Sequence, residues 1–415
     1  MPMKKKDGCS VPRMAHYFRA INILGASCPE FIPESFPSYC QFDDDEWSGG
    51  ILLRIALRMH HLWPTYGVRE GMRTIQGEHP AVCFTGFNLA DLIAARDGFT
   101  PQNAAATQYA ITFPITAALK GGIQPVVQWS SGLASLLDGA LVDGLTPDDA
   151  NNQYRYVSDQ PTAPSKPTTH PEWRWRYPRN YRRNIKKIEA NGFEDNVIPG
   201  LKITQKKWSG LGIVVPDMPT ARRIQYDVLT LIDQELVSEA QFDHILVCDQ
   251  LPVTLEGLDE QALYAAFSNA CFDFKSCRDV PAFKAGLAAM DFSTRLIVLE
   301  ASTPRALQHE RGGCWLWFED NSHPYVRKLV QAGRVKPNNK GRYLASLDEL
   351  DTKRDLRERQ EIVLALSEQL REKYGVQSSY FGVKYSYSPD DDPAYAGRIW
   401  GGGYFITATM DEDDE

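Results

Sequence analysis

The chain has 415 residues, a formal net charge of −8, and 43% hydrophobic against 24% charged residues, the balance of a globular protein with more than one core. An acidic chain has no bulk field with which to coat nucleic acid, so any contact with phosphate must be local. Its eight cysteines show no two-residue spacing, which gives no sign of a zinc ribbon or a thioredoxin motif and suits reduced thiols in a cytoplasmic setting. No apolar run reaches the roughly 18 residues a membrane span needs, so no membrane partner is expected.

In chain order, residues 15–24 (AHYFRAINIL) predict a short strand or turn feeding an apolar helix. A Pro-rich acidic loop follows to Gly50. Residues 51–63 (ILLRIALRMHHLW) have apolar residues at helical spacing. His60 and His61 there are adjacent rather than at metal-ligand spacing, which reads as a surface pair. Arg69 and Arg73 stand on a Gly-punctuated loop before the strand 81–85 (AVCFT), and Asn88 caps a helix over 89–96. Strands are expected over 108–113 and 125–129, with a short helix at 115–120 stopped by Gly121 and Gly122.

Beyond a Pro, Ser and Thr-rich loop at 158–171 comes HPEWRWRYPRNYRRNIKK, residues 170–187. One carboxylate, Glu172, heads a segment with seven cations and four large aromatics, against the charge of the whole chain. A carboxylate on a stiff strand suits stabilisation of a developing positive charge, and cations interleaved with aromatics suit a phosphate backbone with stackable bases. The competing reading is an amphipathic edge strand whose Arg and Trp side chains cover one another. Residues 185–200 read as irregular, 212–215 as a strand, 220–236 as a helix and 244–248 as a strand completing the first sheet.

A second unit follows. Residues 259–267, 280–290 and 324–332 read as helices, 295–300, 314–318 and 379–387 as strands, and 348–374 as the longest helix. Residues 398–408 close the fold before an acidic tail. Alternation of short strands and helices makes the first unit α+β or mixed α/β rather than a bundle; the class expected for the chain is α+β, with expected divisions at 1–255, 256–410 and a tail at 411–415. Gly210 and Gly212 precede a strand, whereas a dinucleotide fingerprint follows one, and no Walker loop, GxSxG elbow or HExxH is present.

The ordered set His16-Tyr17-Phe18, REGMRTIQG running into PAVCFT, YAITF, GGIQPVVQW and PEWRW resembles bacterial phage-defence proteins of the AbiGi kind. These are similar in turn to DarT-like ADP-ribosyltransferases and to the messenger-RNA-modifying toxins of CmdTAC systems. The resemblance covers about residues 14–250. It departs at Gly86, where an acidic residue is usual after CFT, and in a longer loop from Cys28 to Gly50.

That resemblance implies an ADP-ribosyltransferase-like split-sheet N-terminal domain, holding NAD between two small sheets, and a C-terminal α/β accessory domain. It implies Glu172 as the catalytic carboxylate at the ribose, by the logic of glycoside cleavage. His16 would bond the adenosine-side ribose, Arg73 or Arg69 the pyrophosphate, and Tyr109 or Tyr17 would stack on nicotinamide, with Thr85 completing the NAD set. Arg174, Arg176, Arg179, Arg182 and Arg183 would guide RNA, or less favourably single-stranded DNA, past the reacting carbon. No metal is called for. The expected function is a toxin of an anti-phage toxin-antitoxin system transferring ADP-ribose to nucleic acid, restrained by an antitoxin protein with or without a chaperone. The alternatives are an NAD glycohydrolase or protein ADP-ribosyltransferase, and a non-catalytic binding protein of a defence system.

Overall fold

The computed structural model describes residues 12–22, 46–65, 68–69, 72–73, 75, 80–129, 156–158, 172–190, 200–305, 307 and 309–397. The described residues form two compact units: those within 12–221 and 238–272 make the first, and those within 222–237 and 273–397 the second. The first therefore runs on to 272, and 222–237 departs from it to join the second. Both units mix helices with sheet, so the α+β class holds.

The first unit is built on β1 (Arg13–Tyr17), β2 (Ala81–Gly86), β3 (Ala110–Pro114), β4 (Ile123–Pro125), β5 (Glu172–Arg176), β6 (Leu211–Val215), β7 (Phe242–Val247) and β8 (Cys271–Phe272). They form one continuous sheet in the order β8-β7-β6-β3-β1-β2-β5-β4. Only the β6–β7 pair is parallel. The other described strands of this unit pair in twos: residues 21–22 with 46–47, 61–62 with 201–202, 68–69 with 72–73, and 127–129 with 156–158.

Helices α1 (Gly49–Arg58), α2 (Leu89–Arg96), α3 (Ile115–Lys120) and α4 (Tyr181–Ala190) join it, together with a later α6 (Glu260–Ala270). The Asn88 side chain accepts from the Ala90 N–H and so starts α2, as its residue type predicts. One face of the sheet packs Ala15, Ala110, Val214 and Leu246 with Leu92 and Ile93 of α2 and Phe267 and Ala270 of α6. On the other, Phe84, Phe113 and Trp208 form an edge-to-face chain with ring centroids 5.3 and 5.2 Å apart.

The bend after α3 depends on a small residue. A Cβ on Gly121 would fall 1.9 Å from Cη2 of Trp208, a fully buried indole whose Nε1–H donates to the Lys202 carbonyl at 2.8 Å. Gly121→Ala is expected to destabilise the first unit by about 1–3 kcal/mol through overpacking, read from its urea midpoint. An unchanged midpoint would mean that the indole can yield.

Three expectations for this unit change. No helix follows β1 among the described residues: Ile21–Asn22 is a short strand paired with Glu46–Trp47. Residues 181–190 form α4 instead of irregular chain, because the Asn180 carboxamide accepts from the Arg183 N–H and caps a run whose charge hides its period. His61 is buried at 6% exposure with Nδ1–H donating to the Met59 carbonyl, so that member of the expected surface pair lies inside, while His60 is half-buried.

In the second unit α5 (Met218–Asp233, of which residues 222–233 belong here), α7 (Ala282–Ser302), α8 (Pro324–Gln331) and α9 (Leu356–Tyr374) pack with a sheet. Its strands are β9 (Gly312–Phe318), β10 (Val335–Pro337), β11 (Tyr343–Ala345), β12 (Ser378–Lys384) and β13 (Tyr395–Ala396), in the order β10-β11-β9-β12-β13. Every pair is antiparallel, so this unit is itself α+β rather than α/β. The apolar run at 295–300, expected as a strand, continues α7. Ala285, Ala288, Phe292 and Leu296 bury one helical stripe through it, and that packing overrides the β-branched composition. The closing segment expected at 398–408 and the acidic tail lie outside the described residues.

Candidate functional site

Register decides which side chains share a face, because residues opposite one another on paired strands point the same way. Thr112 of β3 faces Ala15, Ala15 faces Thr85, and Thr85 faces Glu172. One pleat along, Cys83 faces Arg174, which faces Gln124 on its other side. Tyr17 lies two residues from Ala15 and so on the same face. It packs against the cluster containing Leu92 and Ile93.

His16 belongs to the alternate row with Ile111, and Trp173 is opposite Phe84. The His16 ring lies edge-on to Phe18 at 4.9 Å and tilted to Phe84 at 5.8 Å. Its Nδ1–H donates to the Cys83 carbonyl at 2.9 Å, and burial lowers its pKa despite that bond. Tyr109 continues this row: its carbonyl accepts from the Phe18 N–H, and its ring packs on Gly49 and Gly50 at the start of α1. The pleat therefore separates the expected constellation. Tyr17, Thr85 and Glu172 are on one face, His16 and Tyr109 on the other. Arg69 and Arg73 lie on the paired strands Val68–Arg69 and Met72–Arg73, with side chains outside the described residues.

At Glu172 the arrangement is specific. Arg174 Nε donates to Glu172 Oε1 at 2.7 Å; the arginine side chain has 0% exposure and the carboxylate 42%. The acid is thus fixed from behind by a buried cation and open in front. Cys83 lies beside the pair, and its thiol is pushed up to about 12, by burial first and then by the Glu172 charge, against the opposing pull of Arg174. Held protonated, it is not a nucleophile at neutral pH.

Two residues that sequence reading missed complete this face. Asn103 Nδ2 donates to Thr85 Oγ1 at 3.1 Å, and its backbone N–H donates to Asp91 Oδ1 at 3.1 Å. Both are nearly fully buried. Burial, then the Asp91 charge, raises the Tyr17 pKa. Among the described residues the buried Tyr17 hydroxyl, Asp91 Oδ2 and Gln124 Oε1 have no hydrogen-bond partner, and such atoms are rare in cores without a reason. Asp91 looks in sequence like another first-turn acid of α2. Asn103 stands in a loop with no periodic signal. Neither could be assigned without the register.

The basic strip divides as well. Arg174 is committed to Glu172 and fully buried, so it is not a phosphate contact. Arg176 is half-buried, while Arg179, Arg183, Lys186 and Lys187 are exposed. The Arg182 side chain lies outside the described residues. Trp175, Tyr177 and Tyr181 stack edge to face at 6.3 and 5.6 Å, with both tyrosines buried. Both tyrosines are core and Trp175 is half-buried. β5 pairs on both sides, with β2 and β4, so it is not the edge strand of the competing reading. Among the described side chains of the strip, Arg179, Arg183, Lys186 and Lys187 are the exposed cations.

In comparison with known families, a family described as a protein of unknown function (DUF4427) matches residues 293–405, less than half of the chain and within the second unit. Curated proteins and solved structures gave no match. Among the described residues no helix is long and apolar enough to cross a membrane.

Proposed function

We propose that the chain transfers ADP-ribose from NAD to nucleic acid, with Glu172 as the carboxylate that stabilises the reacting ribose. The observation that supports this reading is the half-exposed Glu172 carboxylate, fixed by Arg174 at 2.7 Å on the face that also carries Thr85 and Tyr17. In this reaction the bond from ribose C1′ to the nicotinamide nitrogen breaks, and its electron pair leaves with neutral nicotinamide. Positive charge develops at the ribose, and a preorganised anion stabilises it without reorganising. The acceptor then bonds to C1′ and gives up its proton to the carboxylate or to water.

On this reading the polar partners of the ribose and nicotinamide come from the Glu172 face: Thr85, Asn103 and Tyr17. His16 and Tyr109, on the opposite face, act by holding β1 and α1 in place. Arg69 and Arg73 remain the proposed pyrophosphate pair. The full burial of Arg174 favours a second reading, in which its pairing with Glu172 only neutralises a buried cation. Incubation with labelled NAD and, separately, RNA, single-stranded DNA and protein distinguishes the cases. Label on RNA supports the proposal, free ADP-ribose alone supports a glycohydrolase, and unconsumed NAD ends the enzymatic reading.

The acceptor is expected to follow the exposed cations after β5. Neutralising Arg179, Arg183 and Lys187 together should reduce the slope of log affinity against log salt by about 2, at roughly 0.7 per single-strand phosphate contact. NAD hydrolysis should persist while transfer falls. An unchanged slope with unchanged transfer would show that the acceptor enters elsewhere.

A further inference from the structure

The second unit contains a cleft of about 320 Å³ lined by Gly313, Cys314, Trp315, Leu347, Arg359 and Tyr387, with Ser346, Asp348, Leu350 and Thr352 completing its wall. It falls within the segment matched to the family of unknown function, and it owes nothing to Glu172. Its volume is at the lower end of small-molecule sites. What distinguishes it is Arg359, on the buried side of α9 at 4% exposure.

A guanidinium that deeply buried is ordinarily matched by a carboxylate, because an uncompensated charge is costly in a protein interior. Other buried arginines of this unit follow the rule: Arg327 pairs with Asp233 at 2.6 Å and Arg354 with Glu300 at 2.8 Å. Arg359 does not. Its Nη2 donates to the Gly312 carbonyl at 2.6 Å, and its buried Nε has no hydrogen-bond partner. The Cys314 thiol beside it cannot serve as the anion, since burial foremost pushes it up to about 12, outweighing the lowering by Arg359. The acid on the cleft wall, Asp348, is 72% exposed and bonded to Arg334 at 3.2 Å. Two rings flank the site: Trp315, half-buried and edge-on to Phe381 at 6.1 Å, and Tyr387, 57% exposed.

We propose that this cleft binds a small organic oxyanion, a carboxylate or phosphate monoester joined to a flat ring, with the anion on Arg359 and the ring against Trp315 and Tyr387. A guanidinium presents a planar donor fork suited to either oxyanion, and an exposed tyrosine over a cleft offers stacking area at little ordering cost. The exposed Asp348 on the wall disfavours a second negative group on the ligand and leaves one anionic end.

Titration calorimetry of the full chain with AMP, benzoate and inorganic phosphate tests this and separates the two sources. Binding of AMP or benzoate at millimolar concentration or below, tighter than inorganic phosphate, is the expected result. Arg359→Met should weaken it roughly tenfold to a hundredfold, the value of a hydrogen bond to a charged group, without lowering the melting temperature of the free protein. Tyr387→Ala, at an exposed position that leaves folding intact, should weaken AMP or benzoate and leave phosphate unchanged. The proposal is overturned if none of the probes binds, if Arg359→Met binds them undiminished, or if phosphate alone binds as well as AMP. Should Arg359→Met not fold, the parent titrations and Tyr387→Ala decide the matter.

Discussion

Glu172→Gln is expected to lower NAD consumption by at least about 100-fold, the scale on which removing one electrostatic stabiliser acts. The substitution is chosen for what it preserves. Glutamine is nearly isosteric, and its carbonyl oxygen still accepts from Arg174 Nε, so the fully buried guanidinium keeps a partner. Glu172→Ala would remove the charge and the acceptor together, and lost activity would then be confounded with loss of the contact to the buried Arg174. Turnover of NAD and the near-ultraviolet circular dichroism spectrum should be measured on one preparation. A folded Glu172→Gln protein with undiminished turnover removes Glu172 from the mechanism and leaves the pair with Arg174 as a structural one. If the parent consumes no NAD at all, the enzymatic reading fails before the variant is needed, while the Arg359 cleft stands or falls on its own titrations.

What could be read from the sequence follows the range of each signal. The strands at 81–86, 110–114 and 211–215 and the helices at 89–96 and 115–120 are announced by short apolar runs between glycines and caps, all local information. The sheet order is not local. β1 lies between β3 and β2, and β2 lies between β1 and β5, so strands far apart in sequence share one pleat. His16 and Tyr17, adjacent on one strand, point to opposite faces by the period of two alone. What the register adds is which face each shares: Tyr17 goes with Thr85 and Glu172, and His16 with Ile111. Arg174 shows the same limit. In composition it is one cation among seven, and only the pairing of Glu172 with Thr85 and of Arg174 with Cys83 puts it in the buried row beneath the acid. The segment 295–300 failed for a different reason: its β-branched residues are a weak preference, outweighed by the stripe from Ala285 to Leu296 that packs in the second core.

The same dependence on long-range pairing sets the largest expected loss of stability. Asp233 ends α5 in the second unit with 4% side-chain exposure and takes a two-pronged contact from Arg327, Nη1 to Oδ2 at 2.6 Å and Nη2 to Oδ1 at 3.1 Å. The fully buried Tyr343 hydroxyl donates to the same Oδ2 at 2.7 Å, and Arg278 approaches Oδ1 at 3.8 Å. Asp233→Ala leaves a buried guanidinium and a buried phenol without their acceptor, and should cost the second unit about 3–5 kcal/mol. Replacing both charges, Asp233→Leu with Arg327→Met, should recover most of that loss, because desolvation offsets much of what a buried pair gains. Since the chain has two compact units, urea unfolding should be followed by more than one probe, and the shift assigned to the transition that moves. If Asp233→Ala costs less than about 1 kcal/mol, an ordinary value for any substitution, the contact is dispensable, and residues 222–237 are held in the second unit by apolar packing around Tyr226 instead.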